Sequence, residues 1–187
     1  FIRVVNNAKT IAEQEGGDPF IIELGALLHD INDWKFNNGD SSVGAKESFE
    51  LLKKLGADNE VCEQIKYIVD HVSFKGGTNK HVMKTVEGKV VQDADRLDAL
   101  GAIGIARAFA FGGSAGRLLY HPDVKPKEYQ SFESFANATT DNHTINHFYE
   151  KLLLLKDKMN TKTAKALAQN RHDYMENYLE QFYAEWG

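Results

Sequence analysis

The chain has a single cysteine, Cys62, among 187 residues. One thiol excludes an internal disulfide framework and a multi-cysteine zinc site, and it fits a reducing cytoplasm. Proline is scarce: only Pro19, Pro122 and Pro126 interrupt the chain, so long stretches are free to stay helical. No apolar run approaches the ~18 residues that a membrane span requires. Ile21-Ile22 meets Glu23 at once, and Leu152 to Leu155 is only a short stripe. A cationic surplus is missing too, because Lys and Arg total 22 against 27 Asp and Glu. That balance excludes a broad basic footprint for duplex nucleic acid and leaves room for a local phosphate pocket. These absences together predict a cytoplasmic protein with neither a membrane nor duplex nucleic acid as partner. Methionine is also absent from the first position, Phe1, so the chain is expected to begin downstream of the true start.

What is present reads as helix. Hydrophobic residues make up 42% and charged residues 26%, which excludes disorder and a fibrous repeat. The length suits one domain with a substantial core. Ile2, Val5, Ala8, Ile11 and Ala12 recur at helical spacing until Gly16-Gly17 stops them. Asp18-Pro19 reads as an N-cap followed by proline at the first helical position, opening a helix that ends at His29-Asp30. A third helix covers 43–55 and a fourth follows Asp58. After the break at Gly76-Gly77-Thr78-Asn79, a long helical stretch is expected from about His81 to Phe111, ended by Gly112-Gly113. The segment from Ser114 to Thr140 reads as a loop over one end of the core, with His121-Pro122-Asp123 a candidate lid element. Two last helices are expected at about 143–158 and 162–186. No alternating strand pattern and no internal repeat occur, so the expected architecture is a single all-α domain.

The chemistry concentrates in two places. His29-Asp30 ends the apolar run Leu24-Gly25-Ala26-Leu27-Leu28, and an imidazole and a carboxylate at a buried helix end are costly unless something pairs with them. A divalent metal is one such partner; a neighbouring Arg or Lys is the other. A second pair, His172-Asp173, serves as the internal control and reads as the solvated face of the C-terminal helix. The second place is Asp93-Ala94-Asp95-Arg96-Leu97-Asp98, three mutually repelling carboxylates beside apolar neighbours. On a helix Asp95 and Asp98 share a face and Asp93 is turned away. Arg96 is the obvious cation to balance them and a metal the alternative; residue types alone do not choose between an ion-pair network and a metal site.

This combination resembles the HD-domain metal-dependent phosphohydrolase superfamily, and within it a bacterial subfamily of single-domain proteins with nucleoside-triphosphate pyrophosphohydrolase-like members. The resemblance runs through Arg3-Val4, Ile11-Ala12, Leu27-Leu28-His29-Asp30-Ile31-Asn32-Asp33 and Ser73-Phe74-Lys75-Gly76. It continues from Val91-Gln92-Asp93-Ala94-Asp95-Arg96-Leu97-Asp98 to Arg107, and closes with His147-Phe148, Glu150-Lys151-Leu152-Leu153, Met159-Asn160-Thr161 and the aromatic C-terminal helix. It implies a single-domain HD-type helical bundle over residues 1–187, with about seven to nine helices. It also implies a metal site made of a histidine on the first helix, His29, Asp30 and Asp95. The first histidine would fall immediately ahead of Phe1, three residues before the arginine matching Arg3, and is therefore not in the chain.

Imidazole plus carboxylates suits manganese, magnesium, iron, nickel or zinc and does not choose among them; the expected cofactor is manganese or magnesium, with iron, nickel and zinc as alternatives. Asp33 follows His29 by four residues and, if the helix persists one more turn, faces the same cavity as a proton acceptor; otherwise it is a loop or cap aspartate. Lys75, beside flexible glycines, reads as a phosphate contact or an ordinary loop lysine. Arg96 neutralises a phosphate or pairs with Asp93. His71, near the end of the fourth helix, is a catalytic or supporting group, with capping of the helix end as the simpler alternative. The expected activity is metal-dependent hydrolysis of a phosphorylated small molecule, in particular a nucleotide, with pyrophosphate release from nucleoside or deoxynucleoside triphosphates the specific form the resemblance suggests. The rival is a catalytically weak HD fold that senses nucleotides or binds partners. A homodimer is compatible with either.

Overall fold

The computed structural model describes residues 1–32, 42–73, 82–128 and 143–187. Asp33, Lys75 and His81 lie outside the described residues, as does the part of the expected loop over 129–140. Eight α-helices and no strand occur among the described residues. None of these helices is long and apolar enough to cross a membrane. The chain divides into two compact units, with the boundary between Asp95 and Arg96.

The first unit holds α1 (Ile2–Glu15), α2 (Pro19–Leu28), α3 (Val43–Lys54), α4 (Asn59–Val72) and most of α5 (Val86–Asp98). Along α1, Val4, Val5, Ala8 and Ile11 are buried at steps of three and four, as the sequence pattern requires. Gly16 then ends the helix with φ 77, where any residue with a Cβ is strained. Asp18 caps α2 by accepting from Phe20 N at 2.8 Å and from Ile21 N, with Pro19 in the first turn. Glu87 of α5 ties that turn down by accepting from Asp18 N at 3.0 Å. Cys62, Ile65, Ile68, Val69 and Val72 bury one face of α4, while Val90, Val91 and Ala94 of α5 are wholly covered. Each of these Val and Ile side chains contributes about 1.5–3 kcal/mol of transfer free energy.

The second unit holds the end of α5, α6 (Gly101–Ser114), α7 (Thr144–Glu150), two 3₁₀ turns (Leu152–Leu154 and Lys156–Lys158) and α8 (Lys162–Trp186). Three expectations change here. The long helix from His81 to Phe111 is two helices, because α5 stops at Asp98, Leu100 is extended and Gly101 takes φ 70. Arginines explain the stop. Arg171 donates to the Leu97 carbonyl at 2.5 Å and Arg107 to the Asp98 carbonyl at 3.0 Å, supplying partners that a continued helix would have provided. The helix expected over 143–158 is likewise interrupted at Lys151, whose φ of -140 leaves the helical region. The following 3₁₀ turns, at three residues per turn, set Leu152 and Leu155 both inward, at 3% and 1% exposure.

The third change concerns the control pair. His172 is buried at 6% exposure, not solvated, because it lies on the α8 stripe of Ala164, Ala168, His172, Met175 and Leu179. Its Nε2 lies 3.2 Å from Glu176 Oε1, and its Nδ1 has no hydrogen-bond partner among the described residues. Asp173, one position on, is exposed as expected.

Candidate metal centre

The site grows out of close packing in the first unit. Gly25 on α2 faces α5 so tightly that a Cβ there would stand 3.3 Å from Val91 Cγ2 and 3.4 Å from two carbon atoms of Ile68. One helical turn further along each helix come His29 and Asp95. The His29 side chain is nearly buried, at 8% exposure, while the Asp95 carboxylate is partly open at 38%. His29 Nδ1 lies 2.7 Å from the Ala26 carbonyl oxygen, which can only accept. Nδ1 therefore carries the proton in the neutral ring, and Nε2 presents its lone pair. That Nε2 lies 3.6 Å from Asp95 Oδ1.

Two features of this pair fit a divalent ion. The separation is too long for a hydrogen bond. Two donors at ~2.0–2.2 Å from one ion and about 90–110° apart stand roughly 2.8–3.6 Å from each other, which the pair matches at its upper end. A backbone carbonyl fixing the far ring nitrogen is also the usual support of a metal-binding histidine. Asp30 is exposed at the end of α2. Among the described residues no three His, Cys, Asp or Glu side chains stand together as a metal cluster, so the structure brings together His29 and Asp95 without Asp30. Phe1, the residue before α1, sets its ring edge-on to His29 with centroids 5.9 Å apart, so the start of the first helix adjoins the imidazole.

The surrounding backbone is held closely. A Cβ on Gly44 of α3 would come within 2.9 Å of the Asn32 carbonyl, and Asn32 Nδ2 donates to Glu47 Oε2 at 3.0 Å. These contacts place α3 against the segment that follows His29-Asp30. His71 sits in the last turn of α4 with Nδ1 donating to the Tyr67 carbonyl at 2.8 Å and its ring 4.3 Å from that of Tyr67. The bond to its own helix is the capping role; it also leaves Nε2 as the basic nitrogen. Asp70 Oδ2 lies 3.6 Å from His71 Nδ1.

The other acids of the Asp-rich segment have structural surroundings. Asp93 is fully buried, and Asp98, at 7% exposure, accepts from Arg107 Nη1 at 2.5 Å. Arg107 is thus a cation against Asp98, and the helix break between them hid this pairing from periodicity. Asp98 and burial act oppositely on Arg171, where burial prevails and lowers the guanidinium from its ordinary value. Arg96 Nη1 donates to the Lys158 carbonyl. In the second unit, Tyr178 and Tyr183 join Tyr120, Phe182 and Trp186 in an aromatic cluster. Burial, then a hydrogen bond with Tyr149 and the nearby phenols of Tyr149 and Tyr120, push the Tyr183 hydroxyl far above its usual value. Gly25, Gly44 and Gln92, all central to this packing, carry no side-chain chemistry that would have drawn notice in the sequence.

Residues 1–100 match the HD domain family model. YpgQ of Bacillus subtilis is 40% identical over 181 residues, spanning 96% of this chain and 78% of YpgQ. A crystal structure of YpgQ in complex with ADP superposes with a TM-score of 0.73 at 35% identity, covering 98% of this chain and 86% of that one. An HD-superfamily hydrolase from Bacillus thuringiensis gives 0.73 at 45% identity, over 99% and 83% of the two chains. A Lactobacillus plantarum protein gives 0.85 at 38% identity, over 99% and 84%. A helical chain matched over its first half by that family model, and along nearly its whole length by such relatives, belongs to the HD-domain family.

Proposed function

We propose that this protein is a metal-dependent phosphohydrolase acting on a nucleotide, with nucleoside or deoxynucleoside triphosphates as substrates and pyrophosphate as a product. The observation that carries the reading is His29 Nε2, facing Asp95 Oδ1 at 3.6 Å while the other ring nitrogen is held by the Ala26 carbonyl, within an HD-family chain. Membership of a family with hydrolase members supports phosphate-ester chemistry, and the ADP bound to YpgQ supports a nucleotide ligand.

In this reading His29 and Asp95, with Asp30 as a further donor, hold a divalent ion, manganese or magnesium first. Such an ion supplies a polarised phosphoryl oxygen and a water acidified towards neutrality. The protein's own groups do the rest. Asp33 takes the water proton. His71, its Nδ1 held by the Tyr67 carbonyl, serves through Nε2 as a second proton acceptor beside it. Lys75 and Arg96 bind phosphate oxygens by charge-assisted hydrogen bonds, each worth about 1.5–3 kcal/mol.

The test is a metal-by-substrate screen that reads phosphate and pyrophosphate separately. Metal-dependent pyrophosphate release, lost in His29→Ala and Asp95→Ala, is the expected outcome. Nucleotide binding without turnover under any metal would replace the enzyme with a sensing module. Release of inorganic phosphate alone would keep the hydrolase and discard the pyrophosphohydrolase.

A further inference from the structure

We propose that Gln92 is a positioning residue: its buried amide holds the last turn of α4, and with it His71, alongside the turn of α5 that carries Asp95. The proposal rests on the hydrolase reading above, in which His71 and Asp95 serve one site. Gln92 is 4% exposed. Its Nε2 donates to the His71 carbonyl at 2.9 Å and to the Val72 carbonyl at 3.4 Å. The last carbonyls of a helix have no partner within it. Here the chain leaves α4 through Ser73 in an extended conformation, φ -63 and ψ 141. Gln92 provides the closure from another helix.

The register matters. Gln92 precedes Asp95 by three residues on α5, so the two side chains leave the helix on one face, a turn apart. Asp95 meets the His29 imidazole while Gln92 grips the backbone of His71. Gln92 holds the His71 carbonyl while the Tyr67 carbonyl accepts from its Nδ1. Tyr67 is anchored in turn, its hydroxyl accepting from Lys84 N at 3.1 Å. An unbranched apolar residue would fill the position of Gln92 without the cost of burying an amide. Two donors on successive carbonyls do what such a residue cannot: they set both the height and the rotation of the α4 end, and so where His71 Nε2 stands relative to Asp95.

The experiment uses Gln92→Met, which keeps length and volume and removes both donors, with Gln92→Glu as the isosteric second variant should the first not fold. Steady-state kinetics with a nucleoside triphosphate and saturating manganese are measured alone and in a His71→Ala background. The imidazole resonances of His71 are followed by NMR. The expected result is a loss in kcat of about ten- to a hundredfold from misplacement, with KM within about twofold and His71 resonances displaced. His71→Ala with Gln92→Met should be no slower than His71→Ala alone, since residues acting as a unit are not additive. Multiplicative losses, or an unchanged kcat with only a lower melting temperature, would overturn the proposal and make Gln92 a structural cap. If the unaltered protein hydrolyses no nucleotide, it is the hydrolase reading that fails. The NMR arm then decides the clamp by itself: displaced His71 resonances uphold it and unmoved ones overturn it.

Discussion

His29 turns Nε2 towards Asp95 Oδ1 at 3.6 Å because its other ring nitrogen is committed to the Ala26 carbonyl at 2.7 Å. The relation joins an acceptor nitrogen to a carboxylate across a gap that suits an ion better than a hydrogen bond. Replacing His29 or Asp95 by alanine is expected to lower bound manganese more than ~10–100-fold, the loss typical of merely supporting partners. Equilibrium dialysis with elemental analysis measures this, and circular dichroism should show the helices intact. Retained affinity in both variants would return the pair to an ordinary ion-pair contact.

Gly25 sets the distance between the helices that bring the pair together. Gly25→Leu places a branched side chain where even a Cβ stands 3.3 Å from Val91 and 3.4 Å from Ile68. Overpacking of this kind costs about 1–3 kcal/mol, read as a lower midpoint in urea. Metal affinity should fall in the same variant, because α2 must move from α5 just below His29. Gly25→Ala separates the effects: helix propensity favours it by ~1 kcal/mol, so its net change is expected to be small.

Alkali should unfold the second unit through its phenols. Tyr183 has its hydroxyl raised in the folded state, chiefly by burial, while the unfolded phenol ionises near its ordinary value of ~10. The folded state then keeps a proton that the unfolded state releases, so stability is full below about pH 10 and falls as pH rises beyond it. Tyr178 adds to this in the same direction, again mainly through burial. Tyr183→Phe should make urea midpoints less dependent on pH between about 9.5 and 11. A curve parallel to that of the unaltered protein would remove Tyr183 as the cause.

His172 offers a substitution expected to stabilise. Among the described residues its buried Nδ1 has no hydrogen-bond partner, and its Nε2 faces an exposed Glu176. His172→Leu keeps a comparable volume on the buried stripe and removes the unsatisfied group. A gain of up to about 1 kcal/mol follows, read calorimetrically as a rise of roughly 2–4 °C in Tm. A fall in Tm would mean that the imidazole is better satisfied than its contacts show.

Much of this molecule was determined by its amino-acid sequence alone. The Asp18-Pro19 start of α2, the stop at Gly16 and the buried stripes of α1 and α4 follow from local rules, because capping and a period of 3.6 need only neighbours in the chain. His29-Asp30 and the Asp-rich segment over 93–98 drew notice as polar groups beside apolar runs, while the choice of Asp95 within that segment came from the resemblance to the HD-domain family. The tertiary structure decided what depends on distant partners. Arg107 and Arg171 end α5 at Asp98, where the chain's own pattern runs on into α6. The packing of α8 covers His172 while leaving Asp173 in water, although the pair matches His29-Asp30 in sequence. Gly25 and Gln92 take their importance only from what α4 and α5 put opposite them, since a missing Cβ or an amide proton has no meaning until another helix arrives at contact distance.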